Sequence, residues 1–271
     1  MLERIKNVDR LRNVPERIVP GDVERQSLAE HSARYKWAAP RLRGRILDLG
    51  CGVGYGGQIL LSANGAIREV VGLDMSPDAL EFARQTYANE ELRFVQGDAC
   101  CLPFADNSFD AVVSFEAIEH VKEPVALLKE VRRVLKPRGT FLVSTPNKYL
   151  TSPLTPWPLN PHHEREWYPQ DFVSLVQQHF TVAGLYGQNW FSKTVLFQVF
   201  SRDLRTVLKV GLDRLGIFDP VRRIYRRLLP YHAAPVRNVS AEALLPGFVP
   251  QPFAQRPGLL PGVVIVETVS S

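Results

Sequence analysis

The strongest constraint on the fold is a run of short apolar segments alternating with helical periodicity from residue 45 to 145. Arg45–Gly50 (RILDLG) reads as a buried strand, Tyr55–Ser62 as a helix stopped at Asn64-Gly65, and Glu69–Asp74 as a second strand. Ser76 is an N-cap with Pro77 at the first helical position, opening a helix over 77–88. Leu92–Gln96 and Phe109–Phe115 read as the third and fourth strands. Pro124–Leu135 places Val125, Leu127, Leu128, Val131, Val134 and Leu135 at helical spacing, and Pro137-Arg138-Gly139 turns the chain into a fifth strand, Thr140–Thr145. This alternation predicts an α/β fold: a doubly wound, mostly parallel sheet with helices on both faces. Ligands of such sheets bind beyond the carboxyl ends of the strands, so the informative residues are those that follow each strand.

The 271 residues, 45% hydrophobic and 23% charged, exclude a disordered or collagen-like chain. No apolar run reaches the roughly 18 residues of a membrane-spanning helix, and the charged N-terminus lacks the apolar core of a signal peptide. Cys51, Cys100 and Cys101 have no metal-ligand spacing and cannot all pair, so a reducing cytoplasm is expected. Four regions follow: a helical cap over 1–44, broken at Pro15, Pro20-Gly21 and Pro40; a core over 45–193, with a helix at 170–179 and a strand at 180–187; a basic helical and Pro-rich insertion over 194–261; and a final core strand, Gly262–Val269, within 262–271.

Asp48-Leu-Gly50-Cys-Gly52-Val-Gly54 lies between the first strand and the first helix. Its glycines let a ligand approach the main chain, and the helix N-terminus offers N–H groups to an anion. Gly52 to Gly57 also satisfies G-x-G-x-x-G, which alone fits a dinucleotide. Two carboxylates favour a different nucleoside cofactor: Asp48 before the loop, placed to meet a cationic group, and Asp98 after the third strand, suited to an adenine amino group. Asp74 ends the second strand, where an acid binds ribose hydroxyls in either case.

ILDLGCGVGYG, VVGLDMSPDAL, VQGDACCLPFADNSFDAVVSFEAIEHV and LLKEVRRVLKPRGTFLVSTPN resemble, in order, the motifs of class I S-adenosylmethionine-dependent methyltransferases. The resemblance implies a seven-stranded sheet whose reversed last strand is Gly262–Val269. It implies Asp48, Gly50, Gly52 and Gly54 near the methionine moiety, Asp74 on the ribose, Met75 against the adenine, Asp98-Ala99 at the adenine edge, and Phe115 among the cofactor contacts. The stretch Glu30-His31-Ser-Ala-Arg34-Tyr35 resembles a subgroup associated with sugar and polysaccharide modification; Arg34 would meet the methionine carboxylate there, or sit on an exposed helix face.

Glu116-Ala-Ile-Glu119-His120 follows the fourth strand, and a helical turn starting at Glu116 would put Glu116, Glu119 and His120 on one side. After the fifth strand, Asn160-Pro-His162-His163-Glu164-Arg-Glu166-Trp167 is placed to close over the same face. A Glu116, Glu119, His120 and His163 set mixes oxygen and nitrogen ligands, which suits Mg²⁺, Mn²⁺ or Fe²⁺. The ExxEH element with a distal histidine near Glu-Trp resembles the small-RNA 3′-terminal 2′-O-methyltransferases, whose metal holds the terminal ribose hydroxyls; ExxEH also recurs in ubiquinone-pathway O-methyltransferases. His162 and His163 both remain candidates for that histidine. A metal lowers the pKa of a bound hydroxyl; without one, His120 is the candidate base and Glu116 its neighbour.

Between 194 and 229 the chain carries eight Arg and Lys against three Asp, a net charge equal to the +5 of the whole protein. Three readings stand for it: a lid or homodimer surface, contact with an anionic acceptor or a membrane surface, and, less favoured, nucleic acid. Trp157, Trp167, Trp190, Tyr149, Tyr168 and Phe191 suit stacking on sugars or packing. Together these features predict a cytoplasmic S-adenosylmethionine-dependent O-methyltransferase, acting on a sugar hydroxyl of a polysaccharide, glycolipid or glycosylated metabolite. An RNA 3′-end, a small aromatic acceptor and a non-catalytic nucleoside-binding regulator are the alternatives.

Overall fold

The computed structural model describes residues 25–192, 200, 201, 204, 249–256 and 259–270. The first half of the expected N-terminal cap and nearly all of the basic and Pro-rich insertion lie outside these residues. Helix α1 (Arg25–Ala38) ends in a 3₁₀ turn at Ala39–Arg41, where Pro40 stops it. Then β1 (Gly44–Leu49), α2 (Tyr55–Ala63), β2 (Ile67–Asp74), α3 (Pro77–Tyr87), β3 (Leu92–Gln96) and β4 (Phe109–Phe115) alternate. They are followed by α4 (Pro124–Val134), β5 (Leu135–Pro146), the one-turn α5 (Lys148–Thr151), α6 (Pro169–Gln177) and β6 (Thr181–Ser192). β7 (Gln251–Pro252) and β8 (Leu259–Val269) are the last elements among the described residues.

All eight strands form one sheet in the order β3-β2-β1-β4-β5-β8-β6-β7. β1 to β5 are parallel, and β8 runs antiparallel between β5 and β6. The expected seven strands are present; the eighth, β7, is a two-residue edge piece on β6 from the end of the presumed insertion. The boundary at 262 moves too, because β8 already begins at Leu259.

Strand alternation explains the doubly covered sheet. Leu47, Val112, Val143 and Val264 pack on one face with α4 and α6, while Ile46, Val113, Leu142 and Ile265 pack on the other with α1 and α2. On α4, Leu127, Leu128, Val131 and Val134 are all buried, as their spacing requires. The Pro137-Arg138-Gly139 turn lies inside β5 instead of before it. Leu135 already pairs with Phe109, and the register then shifts, with Arg138 at φ 61 absorbing the kink. On α1, Arg34, Tyr35, Trp37 and Ala38 are buried against the sheet. No helix among the described residues is long and apolar enough to cross a membrane.

β1 has β2 on one side and β4 on the other, so the connections leave it in opposite directions. That divergence opens a crevice at the carboxyl ends of these strands.

Candidate functional site

A cavity of about 470 Å³ fills this crevice, within the size range of small-molecule sites. The loop after β1 forms its floor, tied to β2 because Gly50 and Cys51 N–H both donate to the Leu73 carbonyl. The three loop glycines all have positive φ, yet their reasons differ. A Cβ on Gly52 would meet nothing within 4 Å, so its backbone is open to a ligand in the cavity. A Cβ on Gly54 would come within 2.6 Å of the Phe94 ring and 2.9 Å of Ala83. Gly54 is therefore held to glycine by packing at the left-handed start of α2, and it is not among the residues that line the cavity. Gly50 lines the cavity and is held to glycine by Ala117, 2.6 Å from its virtual Cβ.

Asp74 accepts from Gly52 N–H and from Ser76 N–H, both at 2.9 Å. Those bonds aim its carboxylate along the cavity wall. Met75, 67% exposed, stands beside it as an apolar surface for a flat ring. Ala99 and Phe115 line the wall. Asp98 does not: its side chain is exposed and caps Cys100 N–H at 2.8 Å.

Asp48 lies buried behind the loop and accepts from the Tyr35 hydroxyl at 2.9 Å, while its Oδ2 has no hydrogen-bond partner. Burial pushes its carboxyl up to about 7; the Tyr35 hydroxyl pulls it back and the nearby Asp74 charge pushes it further. A buried carboxylate oxygen lacking a partner is a fitting counter-charge for a cationic ligand group. His31 and Tyr35, one helical turn apart on α1, reach the cavity, and Tyr55 O–H meets His31 Nδ1 at 3.1 Å. Burial and the neighbouring Arg34 hold the His31 ring well below its ordinary pKa. These aromatic and imidazole groups were not anticipated, although their i, i+4 spacing within Glu30–Tyr35 was the available signal.

Arg34 is neither on an exposed face nor on the cavity wall. It is 1% exposed, donates to Gln188 Oε1 at 2.9 Å and Ser144 Oγ at 3.3 Å, and pairs with Glu116 Oε1 at 3.4 Å. The expected contact with a methionine carboxylate is replaced by this internal pair, because the helix turns residue 34 toward the sheet.

Glu116 is also placed differently. No helical turn starts at it: Glu116 takes φ 52, and a 3₁₀ turn begins only at Ile118–His120. The i, i+3, i+4 argument fails there. The described residues instead bring together Glu119, His120 and His163, whose ligand atoms lie within 4.8 Å of one another. Glu116 is not part of this cluster, since Ser144 Oγ donates to its Oε1 at 2.8 Å on the Arg34 side. The loop carrying His163 is pinned to the turn by Glu164 and Arg165 N–H, both donating to the Glu119 carbonyl. His163 thus belongs to the cluster, while His162 lines the cavity and gives its backbone carbonyl to His120 Nδ1 at 2.9 Å.

That carbonyl can only accept, so Nδ1 of His120 carries the hydrogen and Nε2 of the neutral ring keeps its lone pair. His163 Nδ1 faces Glu166 Oε1 at 2.7 Å, and Asn160 Nδ2 faces His163 Nε2 at 2.9 Å. Burial pushes the Glu166 carboxyl up, but donation from His163, Ser152 and Thr151 outweighs it and holds the group below its ordinary range. Glu166 therefore keeps the hydrogen on His163 Nδ1, as carboxylates do for metal-binding histidines, and the Nε2 lone pair accepts from Asn160 Nδ2, which a cation would have to displace. Sequence reasoning assigned it no role; its position three residues after His163 was the signal. Glu119 is 1% exposed with Oε2 lacking a partner, and burial, then the Glu116 charge, raise its carboxyl well above the usual range. A buried carboxyl with one oxygen lacking a partner, beside two imidazoles, fits a divalent cation.

Residues 47–143 match the family model of the methyltransferase domain. A probable S-adenosylmethionine-dependent methyltransferase of Mycolicibacterium smegmatis is 37% identical over 164 residues, 60% of this chain and 62% of that protein. A fatty-acid O-methyltransferase of the same species is 42% identical over 98 residues, 36% of this chain and 35% of its own length. The crystal structure of the PH0226 protein from Pyrococcus horikoshii OT3 superimposes with a TM-score of 0.53 at 29% identity, covering 65% of this chain and 92% of that one. The chain spans about three fifths of the first two curated relatives it matches. The matched segment coincides with the glycine loop, Asp74 and the strands that frame the cavity, and the fold is the Rossmann-like one of class I methyltransferases.

Proposed function

We propose that the protein transfers a methyl group from S-adenosylmethionine to an acceptor hydroxyl, aided by a divalent cation at Glu119, His120 and His163. The observation that carries this reading is the position of that cluster: its member His120 lines the same cavity as the glycine loop and Asp74. Gly50, Gly52, Asp74, Met75 and Ala99 would hold the cofactor, with the Asp48 carboxylate behind them. S-adenosylmethionine supplies a methyl group already activated by its sulfonium charge. A divalent cation lowers the pKa of a coordinated hydroxyl. The chain's own work is then to position the two reactants, which accounts for much of such a rate enhancement. Oxygen-seeking cations suit vicinal hydroxyls, and Trp157, 46% exposed after β5, offers a face for stacking. Both features favour a sugar acceptor.

A second reading needs no cation. The His162 carbonyl fixes the His120 tautomer, so Nε2 is available to take the hydroxyl proton.

Calorimetric titration with S-adenosylmethionine and then Mn²⁺, in the wild type and in Glu119→Gln and His163→Asn, tests both readings. Cofactor binding in all three with Mn²⁺ binding only in the wild type supports the cation-assisted reading. Cofactor binding without Mn²⁺ binding in the wild type transfers the role to His120. Failure to bind S-adenosylmethionine overturns both.

A further inference from the structure

Glu116 has two competing uses. It lines the cavity beside His120, a member of the proposed cation cluster. Yet its Oε1 is drawn the other way, by Ser144 Oγ at 2.8 Å and by Arg34 at 3.4 Å. The Ser144 hydroxyl is fully used in this arrangement. It donates to Glu116 Oε1 and accepts from Glu116 N–H at 3.2 Å and Arg34 Nη1 at 3.3 Å. The Glu116 backbone, at φ 52, adopts a conformation that non-glycine residues avoid, and such strain persists only where the surroundings enforce it.

Arg34 is the enforcing group. It is 1% exposed, and its Nε donates to Gln188, whose own Nε2 donates to the Glu30 carbonyl at 2.8 Å. The guanidinium is thereby fixed between α1 and β6 and cannot follow Glu116 into the cavity. Taking Glu116 away would leave a buried cation without this counter-charge, which is strongly unfavourable.

We propose that Arg34 and Ser144 hold Glu116 in reserve, so that a cation at Glu119, His120 and His163 gains its fourth protein ligand only when Glu116 leaves Arg34. The pair is thus a built-in restraint on metal affinity, linking α1 and β5 to the cation site. This inference rests on the cation reading above.

Mn²⁺ titration by calorimetry and by water-proton relaxation tests it, without any acceptor. The proteins are the wild type, Ser144→Ala and Arg34→Met, each with and without Glu116→Gln. Ser144→Ala removes the holding hydroxyl without changing charge, and carries the test should Arg34→Met fail to fold. Mn²⁺ should bind about ten- to a hundredfold tighter in Ser144→Ala, the worth of one hydrogen bond to a charged group. Adding Glu116→Gln should erase that gain, while Glu116→Gln alone in the wild type should change the Kd less than about twofold. Unchanged affinity in Ser144→Ala overturns the proposal. So does an equal loss from Glu116→Gln in every background, which would make Glu116 an ordinary ligand or Arg34 a mere source of repulsion. Glu119-dependent Mn²⁺ binding with no effect at Ser144 sinks this inference alone; no Mn²⁺ binding in any of the proteins sinks the cation reading with it.

Discussion

Asp48→Asn should remove part of the pH dependence of folding. Asp48 is 1% exposed, so no solvent screening discounts its titration. Its carboxyl moves from an ordinary 3.8 to about 7, chiefly through burial. The folded pKa lies above the unfolded one, so between these values the native chain keeps a proton that the unfolded chain has released. The stability contributed is complete below about 3.8 and is lost as pH rises through about 7. A shift of that size corresponds to about 4 kcal/mol in all, of which roughly 2–3 kcal/mol falls between pH 5 and pH 8. Asparagine keeps an acceptor for the Tyr35 hydroxyl and does not titrate. Urea unfolding at pH 5, 6, 7 and 8 reads the effect as a difference, so every other titrating group cancels. Variant minus wild-type stability should rise by about 2–3 kcal/mol across that range. The same carboxyl predicts that S-adenosylmethionine binds the wild type more tightly at pH 8 than at pH 6, with proton release, and that Asp48→Asn shows neither effect. An offset independent of pH would refute the reasoning: Asp48 would then be ionised throughout.

The two loop glycines separate ligand contact from packing. Gly52→Ala should cost only about 1–2 kcal/mol of stability, the penalty of a left-handed backbone, yet abolish cofactor binding measured by calorimetry, because its Cβ enters the cavity. Gly54→Ala should destabilise by roughly 2–4 kcal/mol in urea unfolding, since strain at φ 86 adds to a clash with Phe94 and Ala83. Glu166→Gln should weaken Mn²⁺ binding about tenfold by releasing the His163 tautomer, with a changed ¹⁵N signature of that ring; unaltered ring signals would remove Glu166 from this role.

The fold was legible wherever local rules and burial agree. Phe109–Phe115, inside the sheet, is a nearly continuous apolar run and was placed to the residue; so was the edge strand Leu92–Gln96, where buried Leu92 and Phe94 alternate with exposed Arg93. Ser76 and Pro77 announce α3 because both satisfy the helix start, and Ala79 N–H does bond Ser76 Oγ. β5 was misjudged at its start because Pro137-Arg138-Gly139 obeys turn chemistry while the pairing of Leu135 with Phe109 carries the ladder across it. That pairing is a long-range fact with no local signal. β7 escaped for the same reason: two residues within a Pro-rich stretch carry no period.

The site divides along the same line. Asp74 and Gly52 were legible because their work is done by backbone geometry at a strand end, which the sequence pattern encodes. The acceptor side was legible only as a set of residue types. Spacing argued for Glu116, Glu119 and His120 on one helical face, yet Glu116 N–H bonds Ser144 across the sheet and the backbone turns left-handed before the 3₁₀ turn begins. What displaces Glu116 is Arg34, 82 positions earlier in the chain and buried by the packing of α1 on the sheet. A helical periodicity argument sees four or five neighbours; it cannot see a counter-ion delivered by another element. The same limit explains why Arg34 was assigned to an external carboxylate. Its charge demanded an anion, and only the fold decides that the anion is Glu116. Where a charged residue must be buried, its partner is therefore the most informative feature to seek in the structure, because desolvation makes that pairing obligatory.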